Sequence, residues 1–203
     1  MPRLLTLVPK SDPGLRTVIP VITNFNDAIL KEVIADMLYS IEPAQLKAVN
    51  APFESAAGMA ANQWGIQRRV CLFSPSGAGP HSPPPEVLIN PSYKPFVREG
   101  EASPCKIKDW EGCFSVPLAA GLINRYQAII ATYYTVDGAK IEKLLEDFPA
   151  RVFQHETDHL DGKLYDGLLD NHSGPECCER KLFSNCEALH TFWLDIVKPN
   201  REK

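Results

Sequence analysis

The segment at residues 154–162, Gln-His-Glu-Thr-Asp-His-Leu-Asp-Gly, constrains this chain more than any other because it contains an H-E-x-x-H pattern. Histidines four residues apart, here His155 and His159, project from one face of an α-helix about one turn apart, where both imidazoles reach one metal ion. Glu156 is then placed to move protons on a nearby water molecule. A solvent-exposed helix face explains the same letters by chance. The pattern therefore predicts a metal-binding helix, and the third ligand decides the class of enzyme.

Signals for a helix and for a preceding hairpin surround this motif. Pro149 suits the first turn of a helix, and Gly162 suits the residue just after its end. Before them, two strand-like runs at 128–135 and 140–144 flank an Asp-Gly pair at 137–138. Asp-Gly between two such runs is a strong signal for a β-hairpin. The sequence therefore predicts a hairpin followed by the H-E-x-x-H helix.

The other periodic segments predict two further helices and two short strands. Apolar residues at helical spacing indicate a first helix that starts at Asn26, its predicted N-cap, and ends near residue 41. Residues 69–73 and 87–91 are predicted as buried strands, the second stopped by its final proline, and 74–85 as a proline-rich surface loop. Helical spacing also predicts a last helix at 175–197.

The order of these elements predicts one α+β domain over residues 1–203, with mainly antiparallel sheets packed around a central helix that carries H-E-x-x-H. An N-terminal helix and a C-terminal extension at 171–203 complete it. The 203 residues, 44% hydrophobic, are enough for a substantial core. A formal net charge of −4 gives no reason to expect nucleic acid or an anionic membrane as partner. With no apolar run near the roughly 20 residues of a membrane span and no secretory signal, we expect a cytoplasmic protein.

The third metal ligand is expected upstream of the motif. Metalloproteases with H-E-x-x-H often take a downstream ligand, but His172 and His190 do not lie at the required spacing. A chain of this size does not need disulfides, so its cysteines are predicted to be reduced, and one of them is a candidate ligand. The six cysteines are Cys71, Cys105, Cys113, Cys177, Cys178 and Cys186. A separate zinc site, in which His190 joins the last three cysteines, stays an alternative, although helical spacing explains Cys178 and Cys186 more simply.

Three motifs occur in an order that matches one enzyme family. Residues 56–63 are Ala-Ala-Gly-Met-Ala-Ala-Asn-Gln, residues 111–115 are Glu-Gly-Cys-Phe-Ser, and residues 154–162 contain H-E-x-x-H. The chain thereby resembles the peptide deformylases, whose motifs are G-x-G-L-A-A-x-Q, E-G-C-x-S and Q-H-E-x-D-H-L-x-G. The resemblance covers about residues 4–169. It implies a hydrolase that removes the N-formyl group from the first methionine of new polypeptides and releases formate.

The resemblance also implies a metal and its ligands. Cys113, His155 and His159 would bind one divalent ion and leave one coordination position open, as is usual in catalytic metal centres. In the family the ion is typically Fe²⁺, and Zn²⁺, Ni²⁺ or Co²⁺ can take its place. The cysteine ligand disfavours a metalloprotease.

Residues for proton transfer and substrate contact follow from the same resemblance. Glu156 would take a proton from the attacking water and pass it to the leaving nitrogen. The Gln63 side chain and the backbone N–H of Phe114 would stabilise the oxyanion. The formyl-methionyl peptide, a nascent chain near the ribosome, would add as a strand with Ala57 and Gly58 at its near edge.

The helix face of His155 suggests a pocket for the methionine side chain. Val152 and Phe148 lie three and seven residues before His155 and are the candidates, with plain core packing as the alternative. Three charged residues are expected to orient the site from behind the metal ligands, namely Glu111, Arg125 and Asp158.

Departures from the family motifs bear on substrate range more than on chemistry. Ala56, Met59 and Asn62 replace a glycine, a leucine and a frequent proline, and Ala56 is expected to alter the loop geometry. Many bacterial members carry an arginine just after the cysteine motif, whereas this chain has Ala120 in that segment. Arg151 is less apolar than the pocket wall of some members. A deformylase-like protein that binds N-terminal peptides without turnover stays the alternative, although the intact catalytic set argues against it.

Overall fold

The helix that carries the H-E-x-x-H motif packs against strands of two antiparallel β-sheets in a computed structural model of the chain, which describes residues 1–76, 82–170 and 180–198. The helices in these ranges are α1 (Ala28–Ser40), α2 (Pro43–Ala48), α3 (Asp147–Leu160), α4 (Tyr165–Asp170) and α5 (Cys186–Phe192). The motif lies in α3. No helix of the described chain is both long enough and apolar enough to cross a bilayer.

Eight strands form the two sheets of the described chain. The larger sheet contains β1 (Gly58–Ala60), β2 (Val70–Phe73), β3 (Glu86–Pro95), β6 (Ala128–Tyr134) and β7 (Lys140–Glu146), in the spatial order β1-β2-β3-β6-β7. The smaller sheet contains β4 (Lys106–Cys113), β5 (Val116–Tyr126) and β8 (Arg180–Leu182), in that spatial order. Every pairing is antiparallel. The predicted α+β class is therefore confirmed.

Helix α3 is buried because it contacts strands of both sheets. Ten of its 14 residues are buried, so its polar side chains must find their partners inside the protein. The predicted helix signals are confirmed. Pro149 is the third residue of α3, and Gly162 follows the C-cap Asp161 with a φ of 72°, in the left-handed region that ends many helices.

The predicted hairpin before α3 is also confirmed. Strands β6 and β7 pair from Ala128 opposite Glu146 to Tyr134 opposite Lys140. Gly138 in the connecting turn has a φ of 79°, which glycine adopts without steric cost. The N–H of Asp147 donates to the Gln127 carbonyl at 2.8 Å, so the hairpin leads directly into the helix.

Two predicted boundaries near the N-terminal half were wrong. The N-cap of α1 is Asp27 and not Asn26, because the Asp27 carboxylate accepts the N–H of Ile29 at 3.0 Å. Strand β3 does not stop at Pro91. The pairing of β3 with β6 is irregular between Ile89 and Ser92, and a proline without an N–H is tolerated at such an irregularity.

The predicted C-terminal helix at 175–197 was wrong at residues 180–185. Residues 171–179, including Cys177 and Cys178, lie outside the described residues, so the alternative zinc site stays a prediction. Residues 180–182 form β8, which pairs with β5 at Ala119–Gly121 and gives that strand a second neighbour. The helix begins only at Cys186, where the Asn185 side chain accepts the N–H of Ala188 at 2.9 Å, and a π-helical turn at Trp193–Val197 follows α5.

The end of α3 anchors the N-terminal segment of the chain. The N–H of Ile19 donates to the Leu160 carbonyl at 2.8 Å, and Val18 forms an isolated β-bridge with Asp161. A Cβ at position 162 would lie 2.7 Å from the carbonyl carbon and oxygen of Arg16. Gly162 therefore lets two backbones meet at the end of the motif helix.

We predict that Gly162→Ala lowers the free energy of unfolding by about 2–3 kcal/mol, because the methyl group meets a rigid backbone and alanine strains the left-handed conformation. Gly100→Ala is the matched control. Gly100 also has a positive φ, 87°, but a Cβ there would have no neighbour within 4 Å among the described atoms, so a loss of about 1 kcal/mol is expected. Urea denaturation measures both. Equal losses would show that the contact with Arg16 contributes nothing.

Candidate active site

The structure brings together the three residues that sequence reasoning named as metal ligands. Cys113 is the last residue of β4, and His155 and His159 lie one turn apart on α3. One ligand atom from each residue lies within 4.8 Å of the other two, and the Cys113 Sγ is 3.2 Å from the His159 Nε2. The cluster is formed across the boundary between the smaller sheet and the helix.

The chemistry of this donor set fits one divalent metal ion. A thiol and two imidazoles are ligands that transition metals share, and three protein ligands are typical of catalytic centres. Hydrogen bonding also orients the His155 ring toward the candidate metal site. The Nδ1 of His155 is 2.8 Å from a Glu111 carboxylate oxygen, which reserves its Nε2 for a metal.

Glu111 is the buried charge that connects the histidine to the rest of the site. Its carboxylate accepts two hydrogen bonds from the Arg125 guanidinium, at 2.9 and 3.0 Å, in addition to the contact with His155. Arg125 also pairs with Asp158 on α3. Burial alone would raise the pKa of Glu111, but the Arg125 charge and the His155 hydrogen bond overcome it and hold this pKa well below its usual range. The three charged residues predicted to orient the site thus form one network.

Sequence reasoning missed the role of Arg151 in this network. Its guanidinium donates to Glu111 at 2.8 Å and to the backbone carbonyls of Ile107 and Ile123 at 2.7 and 3.0 Å. Only 3% of its surface is exposed, although it lines part of the cavity beside the metal group. An arginine among the apolar neighbours Ala150 and Val152 was the available signal, because a charge on a buried helix face needs a buried partner.

Glu156 lies beside the metal group with its carboxylate buried. Its Oε2 has no hydrogen-bond partner in the described part of the chain. Burial raises the pKa of Glu156 to about 7. The side chain packs so closely on β1 that a Cβ at Gly58 would lie 2.6 Å from its Cγ and Oε1. Glycine at this position therefore makes room for the carboxylate.

Gln63 is held with its amide N–H group directed at the metal group. Its Oε1 accepts the N–H of Ala60 at 2.9 Å, and its Nε2 lies 3.2 Å from the Ser115 Oγ and 3.5 Å from the Cys113 Sγ. The neighbouring departure, Asn62, also has a structural reason. Its Nδ2 donates to the His159 carbonyl at 2.6 Å and so fixes the end of α3.

A cavity of about 510 Å³ opens beside this cluster, within the range of 300–1,000 Å³ that is typical of ligand sites. Phe148 and Val152 line it from α3, and the remaining residues predicted to contact substrate or oxyanion line it too, namely Ala57, Gly58, Gln63 and Phe114. Strands β1 and β4 border the cavity, and each is at the edge of its sheet in the described chain. The cavity therefore faces two strand edges that can pair with an extended ligand.

Two departures from the family motifs have different outcomes in the structure. Ala56 is buried in the hydrophobic core and is not among the described residues with a positive φ, so its backbone does not adopt a conformation that favours glycine. Ala120 is fully buried and packs against Phe192 and Val197 of the C-terminal segment. A small residue at 120 lets that segment lie against the smaller sheet.

Comparisons with known proteins agree with this site. The sequence model of the polypeptide deformylase family matches residues 4–173. A peptide deformylase 1 of Prochlorococcus marinus is 37% identical over 168 residues, which are 80% of this chain and 79% of that protein. The crystal structure of peptide deformylase from Thermotoga maritima is similar with a TM-score of 0.64 and 30% identity, covering 81% of this chain and 97% of that one.

A further solved structure carries a bound peptide. The Met-Ala-Ser-bound class I type b peptide deformylase from Acinetobacter baumannii is similar with a TM-score of 0.63 and 26% identity, covering 82% of this chain and 99% of that one. The family match contains all three motifs and most of the chain. We conclude that this chain belongs to the peptide deformylase family, the enzymes that remove the N-formyl group from nascent peptides.

Proposed function

We propose that Cys113, His155 and His159 hold one divalent metal, Fe²⁺ in the native enzyme, and that this site hydrolyses the formyl group of N-formylmethionyl peptides. The observation that carries the proposal is the approach of the three ligand atoms to within 4.8 Å of one another, beside a buried carboxylate. The metal, when bound, supplies a Lewis acid that polarises the formyl carbonyl and acidifies water. The choice of Fe²⁺ over Zn²⁺, Ni²⁺ or Co²⁺ rests on the family resemblance. We further propose that the enzyme meets its substrates near the ribosome in the cytoplasm.

Glu156 is the proposed proton carrier. Its carboxylate is buried beside the metal ligands, and its Oε2 has no partner in the described chain, so this oxygen is available to a water molecule. A base in this position accepts a proton from the attacking water and returns it to the leaving nitrogen, which departs as a neutral amine. One carboxylate therefore serves both halves of the hydrolysis.

Gln63 and the backbone N–H of Phe114 are the proposed donors to the oxyanion. The bond from the Ala60 N–H fixes the Gln63 side-chain oxygen, so the Nε2 must point toward Cys113 and Ser115. A donor that is fixed before the reaction stabilises the developing negative charge without reorganising. Phe114 directly follows Cys113, so its N–H lies at the same end of β4.

The two strand edges and the α3 pocket are the proposed binding site of the peptide. An extended peptide between β1 and β4 forms backbone hydrogen bonds with either edge. Its first side chain, methionine, then enters the apolar pocket of Phe148 and Val152. The Met-Ala-Ser peptide on the Acinetobacter baumannii relative supports a product with methionine as its first residue.

Formate release from formyl-Met-Ala-Ser tests the proposal. Protein prepared anaerobically with Fe²⁺, or loaded with Ni²⁺, is expected to hydrolyse this peptide.

We predict that Glu156→Ala retains its metal but loses about 10²–10⁴-fold in kcat, because only proton transfer is removed. Cys113→Ala is expected to lose metal, measured by elemental analysis after gel filtration. Metal-loaded wild type that binds Met-Ala-Ser but releases no formate would contradict the proposal and support a peptide-binding protein without turnover.

We predict that Gly58→Ala lowers kcat by displacing the Glu156 carboxylate and has little effect on the stability of the fold. The added methyl would lie 2.6 Å from the Cγ and Oε1 of Glu156, and its three nearest neighbours are all atoms of that side chain, so the carboxylate is expected to move while the backbone stays in place. A displaced carboxylate, however, costs about 100-fold in kcat. Thermal unfolding and formate release measure the two effects, with Gly100→Ala as the control. Full activity in Gly58→Ala would show that the carboxylate position is not critical.

We predict that Glu111→Gln weakens metal affinity by about 10–100-fold, because His155 loses the carboxylate that orients and polarises its ring. Asp158→Asn is the matched control, since Asp158 also pairs with Arg125, whereas the carboxylate beside the His155 Nδ1 is that of Glu111. Both variants are expected to be less stable because each weakens a buried ion pair. Competition with a chelator measures metal affinity. Equal weakening by the two substitutions would show that Glu111 acts only through stability.

A further inference from the structure

Residues beyond the family match build one wall of the active-site cavity. The match ends at residue 173, yet Trp193, Leu194 and Val197 line the cavity beside the metal group. The Trp193 ring lies against Gly112 of β4. A Cβ at position 112 would be 2.9 Å from the Trp193 Cζ2 and 2.7 Å from the Cζ of Phe53. The family motifs alone do not account for this wall.

This wall is anchored to the smaller sheet. Phe192 and Val197 pack on Ala120 of β5, and the rings of Trp110 and Phe192 meet edge to face at 5.0 Å. The Lys181 ammonium of β8 lies 5.3 Å from the Trp110 ring and 5.0 Å from the Phe192 ring, which adds cation–π contacts. Trp193 is therefore held at a fixed place beside the edge of β4.

Trp193 and Phe53 lie on the opposite face of β4 from the metal group. The Glu111 and Cys113 side chains contact His155 and His159 on α3. A Cβ at Gly112, between them, would instead meet Phe53 and Trp193, as the alternation of side chains along a strand requires. The two rings occupy that second face and contact each other edge to face, with centroids 6.3 Å apart. They form an apolar surface beside Gly112, the residue before the candidate metal ligand Cys113.

The side chains of a peptide bound along β4 also point alternately to the two faces of the sheet. If its methionine side chain enters the pocket of Phe148 and Val152 on the α3 side, its next side chain points to the opposite face. We propose that Trp193, with Phe53, binds the side chain of the residue after formylmethionine and selects large apolar side chains there over small ones. This inference rests on the proposed function, because it needs a peptide in that cleft.

The test compares two substrates that differ only at this residue, formyl-Met-Leu-Ser and formyl-Met-Ala-Ser. For the metal-loaded wild type we expect kcat/KM to favour leucine by about tenfold, as for added methylene groups in an apolar pocket. Trp193→Ala is expected to reduce this ratio to near one, and Trp193→Phe to retain most of it. Leu182→Ala is the matched control in the same C-terminal segment, because Leu182 is 72% exposed and does not line the cavity. It should keep the wild-type ratio.

Binding of the products gives a second measurement without turnover. Calorimetry with Met-Leu-Ser and Met-Ala-Ser should show the same preference in the wild type and its loss in Trp193→Ala. An unchanged ratio in folded Trp193→Ala, or equal kcat/KM values in the wild type, would overturn the inference while leaving deformylation intact. A metal-loaded wild type that hydrolyses neither peptide would overturn the proposed function, and this inference with it.

Discussion

The shared carboxylate of Glu111 is the interaction on which the rest of the site depends. It joins His155 and Arg151 on α3 to Arg125 on β5, while its own backbone belongs to β4. Two buried arginines would be costly without it, since an uncompensated buried charge destabilises a protein strongly. Because the same group orients a metal ligand and connects helix to sheet, the geometry of the candidate metal centre and the packing of the smaller sheet cannot vary independently.

The cavity follows from the way the two sheets end beside α3. Strands β1 and β4 belong to different sheets, and each is an edge strand in the described chain. An exposed edge is normally a liability, because its unpaired backbone groups attract other chains. Here the edges border a cavity that contains a buried carboxylate and an apolar pocket, so the unpaired groups fit the proposed binding of an extended peptide. Gly58 links these features, since it lies on an edge and accommodates Glu156 at once.

The sequence predicted the elements whose signals are local. The hairpin at Asp137-Gly138 and the helix that ends at Gly162 were confirmed, because turn chemistry and helix periodicity involve residues close in the chain. The predicted last helix failed at residues 180–182 for the opposite reason. Those residues are a strand only because β5, about sixty positions earlier, offers them an edge, and helical spacing cannot reveal such a partner.

By itself, the sequence determined which residue types are the candidate metal ligands and which family the chain resembles. It did so because the glycine-rich segment, E-G-C-x-S and H-E-x-x-H occur along the chain in the order of that family. Only the tertiary structure decided what those residues contact. It turned Arg151 from a pocket-wall residue into a partner of Glu111, and it gave Asn62 a bond to the end of the motif helix. It also brought Trp193 against Gly112. These contacts join residues 40 to 97 positions apart, and their energies depend on burial and direction, which chain order does not specify.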